Sequence, residues 1–153
     1  MIQLTEAQLL GWLTPLLWPF LRTLALFSAM PVLGTRTVPV RVRIGLAAFT
    51  SLAAQASLPE VAPVALDSAL AFVLVVQQVL IGVALGFAVR VVFAAVEFAG
   101  EIIGLQMGLN FAGFFDPLSA ATGTATSRFY GTTIAWLFIV VNGHLLVIAA
   151  LMG

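Results

Sequence analysis

Long apolar runs separated by short polar breaks make up this chain. The first run covers residues 9–33 and is interrupted by Pro15, Pro19 and one charge, Arg22. A polar stretch, 34–43, follows, with Arg36, Arg41, Arg43 and Pro39. Residues 44–58 form a shorter apolar segment rich in Ala and Ser, closed by a second break, 59–67, that carries two prolines and two acids. Residues 68–89 then run for 22 positions without a charge, and the apolar pattern continues past Arg90 toward Glu97 and Glu101. Gly, Phe, Ser and Thr accumulate over 107–128, and 129–153 is the last apolar run, with Asn142-Gly143-His144 inside it.

These runs lack the alternation of a half-buried strand and are too long for one, so they predict helices. Barrel strands would be about ten residues of alternating polarity. The fold class is all-α, an integral membrane set of helical hairpins in four to six pieces. A helix needs about 20 apolar residues to cross a bilayer; the first, third and last runs reach that length, and 44–58 is a half-length or partly buried helix. The three arginines of 34–43 and the purely acidic 59–67 break predict the first on the cytoplasmic side and the second outside. Residues 1–8 carry no basic side chain, unlike the start of a secretory signal, and are expected to stay in the mature protein. The last run reaches Gly153 with no charged flank, so the sequence is expected to continue beyond it.

Composition sharpens the class. The chain has 153 residues, 62% hydrophobic and 8% charged, with a mean hydropathy of +1.17. A soluble domain has roughly 25% charged residues; here there are too few to solvate a folded surface, and the hydrophobicity excludes disorder. Six arginines balance six acids, and there is no lysine. No basic stripe for nucleic acid exists. There is no cysteine, which removes disulfides, thiolate metal sites and a thiol nucleophile. One histidine cannot build a His-rich metal site, no phosphate-binding Gly-rich loop or nucleophile elbow occurs, and no cofactor is expected. The chain reads as non-enzymatic.

Two helical faces stand out. Gly82 and Gly86 are four apart, and Gly100, Gly104, Gly108 and Ala112 continue that spacing, a bare stripe that lets another backbone approach closely. Arg90, Glu97 and Glu101 fall within a narrow sector of one helix at 100° per residue. Charges facing lipid are costly, so this face meets protein or water: either a subunit-interface ion pair or the wall of a polar conduit. Arg22 lies in a proline-interrupted helix, where freed carbonyls can accept its hydrogen bonds.

Two segments remain. Around Met107, Asn110, Phe111, Phe114 and Phe115, glycines alternate with bulky side chains, and Asp116-Pro117 is a turn or helix-start signal. Glycine allows sharp geometry while Met and Phe supply deformable bulk. Such a loop either closes a water-filled passage by dewetting or fills a cavity permanently. Asn142-Gly143-His144 is either a hydrogen-bonded structural histidine or part of a proton relay; no acid lies within a helical turn of it.

Three stretches together resemble the FliR family of flagellar export-gate proteins, whose injectisome relatives share the fold. They are Pro31-Val32-Leu33-Gly34 with Val38-Pro39 and the arginines at 41 and 43, then Glu101 through Pro117, then Asn142-Gly143-His144-Leu145. The resemblance covers essentially the whole chain in order. It implies a subunit of the inner-membrane pore for unfolded flagellar proteins at the basal body, assembled with FliP-like and FliQ-like subunits and with an FlhB-like subunit. It also implies that the segment near 107–124 is the plug. Residues 1–153 would then be the N-terminal part of one FliR-like helical membrane domain, the C-terminal half of the family being absent. Hydropathic helices in such an assembly can sit in a protein cone rather than in lipid, which undercuts the simple topology above. The competing class is a small-molecule or ion transporter subunit with discontinuous helices.

Overall fold

The computed structural model describes residues 6–35, 37–55, 68–108 and 124–152. Among these, every regular element is a helix: α1 (Glu6–Ala29), α2 (Val40–Gln55), α3 (Ala69–Gln106), α4 (Ala125–Val140) and α5 (Gly143–Met152). They fall into two compact units, Met1–Phe87 with Val147–Gly153, and Ala88–Leu146.

In the first unit, α1 runs unbroken through Pro15 and Pro19. Thr23 Oγ1 donates to the Pro19 carbonyl at 2.8 Å. Pro31 ends the helix, because the residue before a proline is pushed out of the α region. Gly34 N–H then donates to the Met30 carbonyl at 2.7 Å to shape the turn. α2 begins at Val40 rather than at 44, so Arg41 and Arg43 lie in its first turns and not in a loop. The reason is Pro39: its carbonyl accepts from Val42 N–H at 3.0 Å and starts the helix, while arginine is itself a good helix former. Arg43 Nη2 donates to the carbonyls of Thr35 and Val38, each at 3.0 Å, and straps the preceding turn to the helix. α1 packs on α2. In this unit Leu26, Phe27, Met30 and Ala47 are buried, together with Thr23 and Ser51. These two hydroxyls lie 3.4 Å apart, and Ser51 Oγ donates to the Ala47 carbonyl at 2.6 Å, so the buried polar atoms are satisfied.

α3 is a single 38-residue helix, roughly 57 Å long at 1.5 Å per residue. Among the described residues it is the one helix long and apolar enough to cross a membrane. Its buried positions are Ala71, Gln78, Gly82 and Gly86 in the first unit and Phe93, Gly100 and Gly104 in the second. Within each unit they step by seven or four residues and so lie on one helical face. Most of these are small, while Phe72, Leu80, Phe87 and Phe98 are each more than 60% exposed. The large side chains thus point away from the chain's own interior, the reverse of a soluble helix and the arrangement of helices that pack by close backbone approach.

The small-residue stripe stops at Gly104. α3 ends at Gln106, and Gly108, with φ 71°, sits beyond it. Gly108 N–H donates to the Leu105 carbonyl at 3.1 Å. Gly108 therefore ends the helix in a left-handed turn instead of packing along it, and Ala112 lies outside the described residues. The last apolar run departs further from a single span. α4 starts early, at Ala125, because Thr124 caps it: its Oγ1 accepts from Ser127 N–H at 3.1 Å. The helix stops at Val140, and α4 and α5 form a pair bent by 63°.

Candidate functional site

In the first unit, Arg22 is the centre of the polar contacts. Its Nε–H donates to Gln78 Oε1 at 2.6 Å, and its Nη1 donates to the Leu151 carbonyl at 2.9 Å. α1, α3 and α5 are thereby joined through one guanidinium. The carbonyls freed by Pro15 and Pro19, which the proline pattern allows as acceptors, are not its partners. The rigid guanidinium fork reaches acceptors on neighbouring helices instead. Beside it, Gly82 lies directly on the Arg22 carbonyl, and an added Cβ would be 2.8 Å from Ala25 Cβ. One turn on, a Cβ at Gly86 would be 2.5 Å from Ala29 Cβ. The glycines let α1 come close enough for Arg22 to reach Gln78.

In the second unit, α3 and α4 meet along a similar seam. A Cβ at Gly100 would be 3.0 Å from Ser127 Cα and 3.0 Å from Tyr130 Cδ2. One at Gly104 would be 3.2 Å from the hydroxyls of Thr124 and Thr126. Gly131 of α4 reciprocates: a Cβ there would be 2.9 Å from Glu97 Oε1. The charged sector of α3 flanks this seam, roughly 70° round the helix on average from Phe93 and Gly100 at 100° per residue. Arg90 and Glu97 are exposed and Glu101 is half-buried. Glu97 reaches across to lie on Gly131, a contact that no sequence pattern marks: Gly131 is a lone glycine, and only the helix pairing shows what it accommodates.

Met107, just past the end of α3, is 64% exposed. Asn110, Phe111, Phe114, Phe115, Asp116 and Pro117 lie outside the described residues. His144 is half-buried. Its Nδ1 is buried with no hydrogen-bond partner among the described residues, so the hydrogen-bonded histidine is not formed at that atom. Among the described residues no group of three His, Cys, Asp or Glu side chains is placed to hold a metal ion.

The model of a family described as bacterial export proteins, family 1, matches residues 13–153. The flagellar biosynthetic protein FliR of Escherichia coli strain K12 is 48% identical over 151 residues, 99% of this chain and 58% of the relative. That of Pectobacterium carotovorum subsp. carotovorum is 40% identical over 152 residues, again 99% and 58%. That of Bacillus subtilis strain 168 is 30% identical over 125 residues, 82% of this chain and 48% of the relative. The chain thus spans somewhat more than half the length of the curated relatives it matches first.

Proposed function

The chain belongs to the bacterial export proteins, family 1, and from that membership we propose that it is a non-enzymatic subunit of the flagellar type III protein export gate. In this reading it helps form and close the pore for unfolded export substrates in the bacterial inner membrane, at the flagellar basal body. The observation that carries the reading is the match over 13–153 to a family of export proteins, joined to 48% identity with a flagellar biosynthetic protein.

The form of α3 supports it. Small residues face the chain's own helices, and bulky apolar side chains face outward over a length well beyond the roughly 30 Å of a bilayer's hydrocarbon. Lipid cannot cover all of that surface, so part of it is covered by other apolar protein, which the FliP-like, FliQ-like and FlhB-like subunits supply. The flanking charges Arg90, Glu97 and Glu101 then meet partner charges or one another at subunit contacts. Met107, Asn110, Phe111, Phe114 and Phe115 form the deformable plug, with Asp116-Pro117 setting its turn. Gly100 and Gly104 keep the neighbouring helix close, and Gly108 turns the chain from α3 into the plug.

The test replaces Phe111, Phe114 and Phe115 together by Ala in the whole protein and measures small-ion leakage across the resting membrane. Leakage rises if these rings seal the pore; unchanged leakage removes the sealing role. A transporter would purify and remain folded without FliP-like and FliQ-like subunits, whereas an export-gate subunit is unstable without them, so co-purification separates the two classes.

A further inference from the structure

The bend in the last apolar run is made by local chemistry. Asn142 lies between α4 and α5 with φ 56°, the one non-glycine residue with positive φ among those described. Its N–H donates to the Ile139 carbonyl at 3.0 Å, closing α4, and its own carbonyl accepts from Leu145 N–H at 2.9 Å and Leu146 N–H at 3.2 Å, opening α5. One residue is therefore both the stop of one helix and the start of the next. Asparagine is among the few non-glycine residues that enter the left-handed region at low cost.

The next residue has no side chain, and something else fills the space. A Cβ on Gly143 would be 2.5 and 2.6 Å from Phe138 Cδ2 and Cε2, and 3.0 Å from the Phe138 carbonyl oxygen. The Phe138 ring thus occupies the space against Gly143 at the break. It is held from α3: Phe93 and Phe138 meet edge to face, with centroids 5.5 Å apart and planes at 77°. Phe93 is itself only 5% exposed. Apart from Asn142 and Gly143, residues 137–147 are Leu, Phe, Ile, Val and His, none of which breaks a helix.

We propose that Asn142, Gly143 and Phe138 form a two-state elbow latched to α3 by Phe93. With the Phe138 ring seated against Gly143 the segment is bent; with the ring displaced, α4 can continue through Asn142 into the first turn of α5. The latch links the end of α4 to Phe93 of α3. It rests on the geometry around Asn142 and stands independently of the export reading.

The chain contains no cysteine, so spin labels can be placed at Ala125→Cys and Leu146→Cys, both exposed positions, and their separation measured by double electron–electron resonance in the solubilised whole protein. Straightening lengthens that separation by about 3 Å, from 1.5 Å of rise per residue and the bend angle. Gly143→Ala evicts the ring and is expected to add the longer distance, and Phe138→Leu, which keeps bulk but loses the ring edge, is expected to do the same. Asn142→Gly, which keeps the left-handed backbone, is expected to retain the short distance. The proposal is overturned if Gly143→Ala and Phe138→Leu both keep the original distribution, or if Asn142→Gly loses it.

Discussion

Arg22 Nε–H and Gln78 Oε1 meet at 2.6 Å across 56 residues of sequence. This bond joins a cation for which the sequence offers only carbonyls of its own helix to an amide that the apolar pattern gives no reason to notice. Arg22 is held from two directions, since its Nη1 also donates to the Leu151 carbonyl.

Replacing Gln78 by Leu leaves Arg22 Nε without an acceptor in an apolar setting. A hydrogen bond to a charged group contributes about 1.5–3 kcal/mol, and Gln78→Leu is expected to lower stability by about that amount. Arg22→Lys is expected to be destabilising as well, because an ammonium lacks the planar fork that serves both acceptors. Thermal unfolding in detergent checks both; a Gln78→Leu variant that melts at or above the wild-type temperature contradicts the assignment.

Two glycines in helices make a matched pair. Gly82 lies on the Arg22 carbonyl, whereas an added Cβ at Gly45 meets nothing within 4 Å. Gly82→Ala is expected to force α1 from α3 and cost about 1–3 kcal/mol. Gly45→Ala is expected to be neutral or to stabilise α2 by up to about 1 kcal/mol, since only the helix propensity of glycine is changed. Parallel melting curves of the two variants decide it, and equal destabilisation would mean that close approach at Gly82 is not what matters.

The seam between α3 and α4 predicts an ordering. Gly100→Ala would push on backbone, namely Ser127 Cα and the Thr126 carbonyl oxygen, whereas Gly131→Ala would push on the carboxyl end of Glu97. A long side chain can swing away and a helix backbone cannot. Gly100→Ala is therefore expected to cost about 1–3 kcal/mol and Gly131→Ala distinctly less. Adding Glu97→Ala to Gly131→Ala should recover the loss, while adding it to Gly100→Ala should not; limited proteolysis of the four variants reads out the order.

Charge reversal at the flank of the seam tests assembly. Glu101 is half-buried, and in the proposed gate it faces partner charge. Glu101→Arg is expected to reduce co-purification with the FliP-like and FliQ-like subunits severalfold, with retained assembly pointing instead to a solvated face. Arg90→Glu is the companion variant, and assembly restored by combining the two would pair these positions functionally.

The helical class was legible from the sequence because it rests on a local property: long apolar runs without alternation, punctuated by proline and charge. The helix-packing role of small residues was partly legible for the same reason, since four-residue spacing alone places Gly82 with Gly86, and Gly100 with Gly104, on one face. Boundaries were less so. α2 starts at Val40 and α4 at Ala125 because Pro39 and Thr124 supply backbone or hydroxyl acceptors, effects of single residues that outweigh the apolar average. The break at Asn142 was concealed by the hydropathy of the residues around it.

The sequence by itself determined that this chain is helical, built of long apolar runs and short of charge, because composition and periodicity act residue by residue along the backbone. Only the tertiary structure decided which side chains complete one another: Arg22 with Gln78, Glu97 with Gly131, and Phe138 with Gly143 and Phe93. Those pairings join residues on different helices, or across a break between helices. They depend on how closely two backbones approach and in what register, and no local pattern carries that information.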